Sequence, residues 1–271
     1  IHTSSVESRQ SFDVLEYRLE AECYSCFQSP DTRSFMAKLR INLRVDSALN
    51  TIRLNALSSS IGIDSVSLPV ISWEHFSDTL TLYLNRTFLP GELIDLEIAY
   101  HHNNVNDKGF YAGYGTIFTD NPPEGARKWM PCWDRPSDKA AWELIASVQA
   151  PAILASNGLP VGEPLVNGDT VTYHWKSDYP IATYLITLSA RNIFLSKVSW
   201  YQRSEDPSDT IPVMLFYRNN DNLALIDSII GPMTDFFASL FGHYPFEKIG
   251  FATLNTLFPW GGMEKIGRAH V

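Results

Sequence analysis

The chain has 271 residues, 45% apolar, 13% aromatic and 19% charged, a composition that builds a packed core and excludes a mainly disordered state. Its formal charge of −9 offers no basic field for a phosphate backbone, so nucleic acid is not an expected partner. No apolar run approaches the roughly 18 residues of a bilayer-spanning helix, so no transmembrane segment is expected, and the length fits about two domains.

The first residues, IHTSSVESRQS, show neither the basic nor the apolar region of a signal peptide. A secreted or cell-envelope protein is compatible with this sequence, but no residue fixes the compartment. From there to about residue 100, apolar and polar residues alternate with period two, the mark of strands with one buried face. Tyr17, Leu19, Ala21 and Cys23 form one such face, and Ala37, Leu39, Ile41, Leu43 and Val45 another. The period returns in Ile52/Leu54/Ala56, Leu80/Leu82/Leu84 and Ile94/Leu96/Ile98/Tyr100. The CYSC pair Cys23 and Cys26 lacks two further ligands at zinc-site spacing, and with Cys132 the odd count argues against a disulfide framework.

Residues 101–140 are dense in Pro, Gly, Asn and Asp and predict long ordered loops, with His101 and His102 as a diverging pair on a surface loop. Within this stretch, PCWDRP holds Trp133, expected to bury against the strands. A second set of strands follows at 142–150, 170–175, 181–189, 193–200 and 211–217. At about residue 218 the period changes to 3.6. Leu223, Ile226, Ile230, Met233, Phe237, Leu240 and Phe241 form one helical stripe, with Asp221 or Asn222 placed to cap its start, Gly242 to end it, and Pro232 to kink it. The change of period divides the chain into a β-sandwich of residues 1–217 and a second unit of residues 218–265. So short a second unit cannot close a core of its own.

Three segments in fixed order carry a resemblance: ARKWMPCWDRPSDKA at 126–140, FGHYPFEKIGFATL at 241–254 and PWGGMEK at 259–265. Together they resemble the zinc aminopeptidases of the aminopeptidase N type, the gluzincins. The resemblance implies a mainly β fold: an antiparallel β-sandwich or saddle followed by the short α+β start of a thermolysin-like catalytic domain. It also implies a zinc-dependent hydrolase that releases N-terminal residues from peptides with a free amino terminus.

Gly261 and Gly262 suit close approach to an extended peptide, and Met263 would pack beneath them. Glu264 would hold the peptide's α-amino group, a cation at neutral pH, by charge-assisted hydrogen bonds. The family's second amine contact falls here on Pro122, a departure for which Asp120 or Glu124 could substitute. The zinc motif H-E-x-x-H does not occur: none of His2, His75, His101, His102, His174, His243 and His270 stands four residues from another. This chain is therefore expected to hold no catalytic residue and no metal, zinc belonging to a longer parent.

The last residues, IGRAHV, do not resemble the family. The codons ATC GGA AGA GCA CAC GTC encode them and match the start of a sequencing adapter, which predicts that residues 266–271 are non-native and that Lys265 stands where GGMEN has Asn. The other reading is a non-catalytic β-sandwich binding module, or a relative without zinc ligands.

Overall fold

The computed structural model describes residues 10–67, 69–204, 206, 208–221, 223–253 and 266–267. An eight-stranded sheet forms the frame. Its spatial order is Leu159–Pro160, Thr170–Ile181, Ala140–Gln149, Phe12–Glu22, Met36–Val45, Leu93–His102 and Ile61–Val66, with Leu165–Asn167 also pairing to Thr170–Ile181. All its pairs are antiparallel except Phe12–Glu22 with Ala140–Gln149, where Tyr17 lies opposite Trp142. The period-two residues behave as the alternation requires: Tyr17, Leu19, Ala21, Leu39, Ile41, Leu43, Leu96, Ile98 and Tyr100 are all buried.

Two smaller sheets close over that face. Leu49–Asn55, Thr79–Phe88 and Val70–Phe76 form one, and Ile153–Ser156, Leu188–Arg191, Thr116–Thr119 and Phe110–Gly113 the other. Ile52, Leu54, Leu80, Leu82, Ile117, Leu154 and Leu188 join the large sheet's inner face in one continuous core, so the expected mainly β sandwich is the fold observed.

Several stretches differ from the sequence expectation, among them Ile153–Ser156 and Leu165–Asn167, strands where none was expected. Residues 110–119 are a hairpin rather than loop: Phe110–Gly113 and Thr116–Thr119 turn through Tyr114 and Gly115, at φ 54° and 66°. Two central residues with positive φ match the right-handed twist of the flanking strands. Residues 181–189 are not one strand. Thr170–Ile181 is followed by a 3₁₀ turn, Thr183–Leu185, and then by Leu188–Arg191. Buried amides hold the break: Asn157 donates to Leu185 O at 2.9 Å and accepts from Thr187 N at 2.7 Å, while Asn121 donates to Ile186 O.

A fourth sheet, Leu195–Gln202, Thr210–Tyr217, Ile249–Ala252 and Ile266–Gly267, carries the helix Leu223–Phe241. Strand pairing thus groups 195–217 with the helix, although their period matches the strands before them. Ile226 and Ile230 bury against Tyr201, Ile211, Val213, Leu215 and Ile249. Tyr201 Oη donates to Asp235 at 2.6 Å and Lys197 pairs with Asp227, which fixes the helix across the sheet. Gly242 ends the helix at φ +91°, as expected of a residue that must enter the left-handed region. Asp221 turns back to Arg218, accepting from its backbone N–H at 2.7 Å, and Asn222 lies outside the described residues. Among the described residues no helix is long and apolar enough to cross a membrane.

Candidate functional site

The segment 119–135 is suspended between the small sheet and the large one. Asn55 and Cys132 exchange both backbone hydrogen bonds, at 2.7 and 3.0 Å, and Trp133 N donates to Tyr17 Oη at 2.9 Å. Trp129, fully buried, donates through Nε1 to Asn121 Oδ1 at 2.8 Å. Trp133, for which burial was expected, is only half-buried, edge-on to Phe12.

Arg127 is the hub of this loop. Its guanidinium reaches Asp134 Oδ2 at 3.0 Å, Glu124 Oε2 at 2.7 Å and Asp78 Oδ2 at 3.1 Å. Asp134 is buried and also accepts from Thr183 Oγ1 at 2.7 Å. A buried carboxylate survives when its lone pairs are met by a cation and further donors, and here both conditions hold. Gly125 permits the tight turn, since a Cβ there would stand 2.7 Å from Asp120 O.

Of the residues singled out from sequence, Asp120 and Glu124 come together on this loop. Glu124 is engaged by two cations, Arg127 and, through its other oxygen, Arg135 at 2.6 Å. Asp120 is half-buried just after Thr116–Thr119, its N–H donating to Gly109 O at 2.9 Å. Gly261, Gly262, Met263 and Glu264 lie outside the described residues. His101 and His102 diverge as expected but lie in the strand Leu93–His102, not on a surface loop. His101 pairs with Asp64 at 2.8 Å, whereas His102 is fully buried, stacked on Phe35 and bonded to Asp107 at 2.9 Å.

The described histidines do not converge. His75 reaches Ala56 O, His174 reaches Glu143, and His243 reaches Arg203 O. Among the described residues no three His, Cys, Asp or Glu side chains could hold a metal ion, so these residues do not fit zinc and no chemical step is routed through it. Cys23, Cys26 and Cys132 are free and buried, and burial pushes the Cys26 thiol up to about 12.

Sequence reasoning gave no role to Lys248, although it sits in a quoted segment. Its side chain is buried, Nζ donating to Ser156 O at 2.6 Å and lying 4.3 Å from the centre of the Trp175 ring. This side chain joins the strand Ile249–Ala252 to the first unit.

Comparison with known proteins places this architecture. The Peptidase M1 N-terminal domain matches residues 15–185. Aminopeptidase Q of Acinonyx jubatus is 26% identical over 277 aligned positions, covering 89% of this chain and 27% of that protein. Aminopeptidase M1 of Arabidopsis thaliana is 25% identical over 193, covering 64% of this chain and 21% of that protein. The chain therefore spans about a quarter of the length of these relatives. The crystal structure of the M1 zinc metallopeptidase from Deinococcus radiodurans shares the fold at a TM-score of 0.79 and 20% identity, over 90% of this chain and 57% of that one. The structure of Legionella pneumophila aminopeptidase A in complex with aspartic acid does so at 0.79 and 16%, over 97% of this chain and 31% of that one. With a family match across more than half its length and a fold to agree, the chain belongs to the peptidase M1 family and carries that family's N-terminal domain.

Proposed function

We propose that this chain is the N-terminal part of a zinc-dependent aminopeptidase that removes residues from peptides with a free amino terminus. The observation that carries the reading is the family match over residues 15–185. In this reading Gly261 and Gly262 line the peptide backbone, Met263 supports them, and Glu264 accepts hydrogen bonds from the α-ammonium. Asp120 or Glu124 supplies the second amine contact, Glu124 from a carboxylate that also pairs with Arg127 and Arg135. The zinc of this reading would be held by residues of the whole protein other than the described ones. The catalytic unit begins at the helix-bearing sheet, and residues 1–271 alone hydrolyse nothing.

The test compares the 271-residue chain with a protein extended by its genomic continuation, using an aminoacyl anilide and its N-acetylated form. Zinc-dependent turnover of the free-amine substrate by the extended protein alone is the expected result, with loss of turnover on Glu264→Ala. An extended protein inactive with zinc overturns the enzyme reading in favour of a binding module. Turnover by the 271-residue chain overturns its assigned inactivity.

A further inference from the structure

We infer that the end of the small sheet at Arg191 is a binding site for a small monoanion, a halide or a carboxylate group. In the strand Leu188–Arg191, Leu188 and Ala190 face the main core, so Ser189 and Arg191 occupy the opposite face. Thr116 lies directly across from Arg191 on the neighbouring strand and shares that face. All three are buried, Arg191 only 7% exposed. Arg191 Nε and Nη1, Ser189 Oγ and Thr116 Oγ1 have no hydrogen-bond partner among the described residues. A buried donor left unmade is destabilising and rare, so several on adjacent residues mark a place where a polar partner belongs.

Charge gives that partner its sign. The electrostatic neighbours of Arg191 are Arg218 and Asp221, and burial together with Arg218 holds the Arg191 guanidinium below its ordinary range. Asp221 is committed to Arg218, whose Nε and Nη2 donate to its Oδ1 at 3.0 and 2.7 Å. Among the described residues, two guanidiniums therefore share one carboxylate, leaving a single positive charge in a buried setting. A monoanion on Arg191 neutralises it and accepts the orphaned N–H groups, with Ser189 and Thr116 supplying hydroxyls nearby. Arg191 closes the small sheet and Arg218 leads into the helix Leu223–Phe241, so the anion would fasten the first unit to the second. This inference is independent of the aminopeptidase reading.

The test follows the Tm of the purified 271-residue chain against sodium chloride and, separately, sodium formate, with ionic strength held constant by sodium isethionate. A saturable rise of about 5–10 °C at one hundred times the half-saturating concentration is expected with at least one of the two. Chloride alone would mark a halide site, and formate alone a carboxylate site. Arg191→Met should abolish the rise and melt higher than the parent chain in isethionate alone, because a buried unpaired charge is gone. Should that variant not fold, Thr116→Val should raise the half-saturating concentration by about fivefold. No rise with either anion, an equal rise in Arg191→Met, or no change in Thr116→Val overturns the assignment.

Discussion

The large sheet and the helix-bearing sheet answer the same amphipathic signal differently. In the large sheet nearly every inward residue predicted from period two is buried, from Leu19 to Val45. Along the helix Leu223–Phe241 the stripe is buried at Ile226 and Ile230, yet Met233 is 39%, Phe237 50%, Leu240 59% and Phe241 81% exposed. A hydrophobic period declares which face wants cover, whereas burial depends on what lies opposite it. Stability should accordingly be concentrated in the first unit, and substitutions can break or sharpen that contrast.

The largest effect is expected from Trp142→Ala, which empties a fully buried position that packs edge-on to Trp129 and donates to Ser156 Oγ at 3.1 Å. A loss of about 3–5 kcal/mol should appear in urea unfolding. Lys248→Met should cost about 1–2 kcal/mol by removing the bond to Ser156 O and the contact with Trp175. Hydrogen exchange should then quicken in the strand Ile249–Ala252 before it does in the large sheet. Equal exchange in both would erase the contrast between the units.

Asp138 sharpens the comparison through pH. Burial and the neighbouring Asp13 push its carboxyl up to about 7, against an unfolded value of about 3.9. A folded value above the unfolded one gives stability that is full below about pH 4 and lost as pH rises through 7. Asp138→Asn should therefore flatten the fall in Tm between pH 5 and pH 8, and an unchanged profile would refute this role. The smallest effect is expected from Phe241→Ser at the exposed helix end, within about 0.5 kcal/mol.

Much of the first unit was legible because period two needs only local information. Leu39, Ile41 and Leu43 announce a half-buried strand whatever pairs with them. The break after Ile181 was not legible, since it is held by Asn121 and Asn157, residues distant in sequence whose burial no local pattern reveals. The hairpin 110–119 did carry a signal, a Tyr-Gly pair between short apolar runs, hidden by the loop-like residues around it. Asp120 and Glu124, close in sequence among loop-forming residues, do share one loop in the structure. The competition for Glu124 from Arg127 and Arg135 was not foreseen, though Arg127 stands only three residues away.

The parallel pairing of Phe12–Glu22 with Ala140–Gln149 also bears on how the chain is made. The antiparallel neighbours out to Ile61–Val66 can assemble once residue 102 has left the ribosome, since their pairings need nothing later. The far side of Phe12–Glu22 must then wait, an open row of backbone donors and acceptors, until residues 140–149 emerge. During that interval the nascent sheet is half a frame with a sticky edge, and a ribosome paused between those points would hold the species most prone to aggregate.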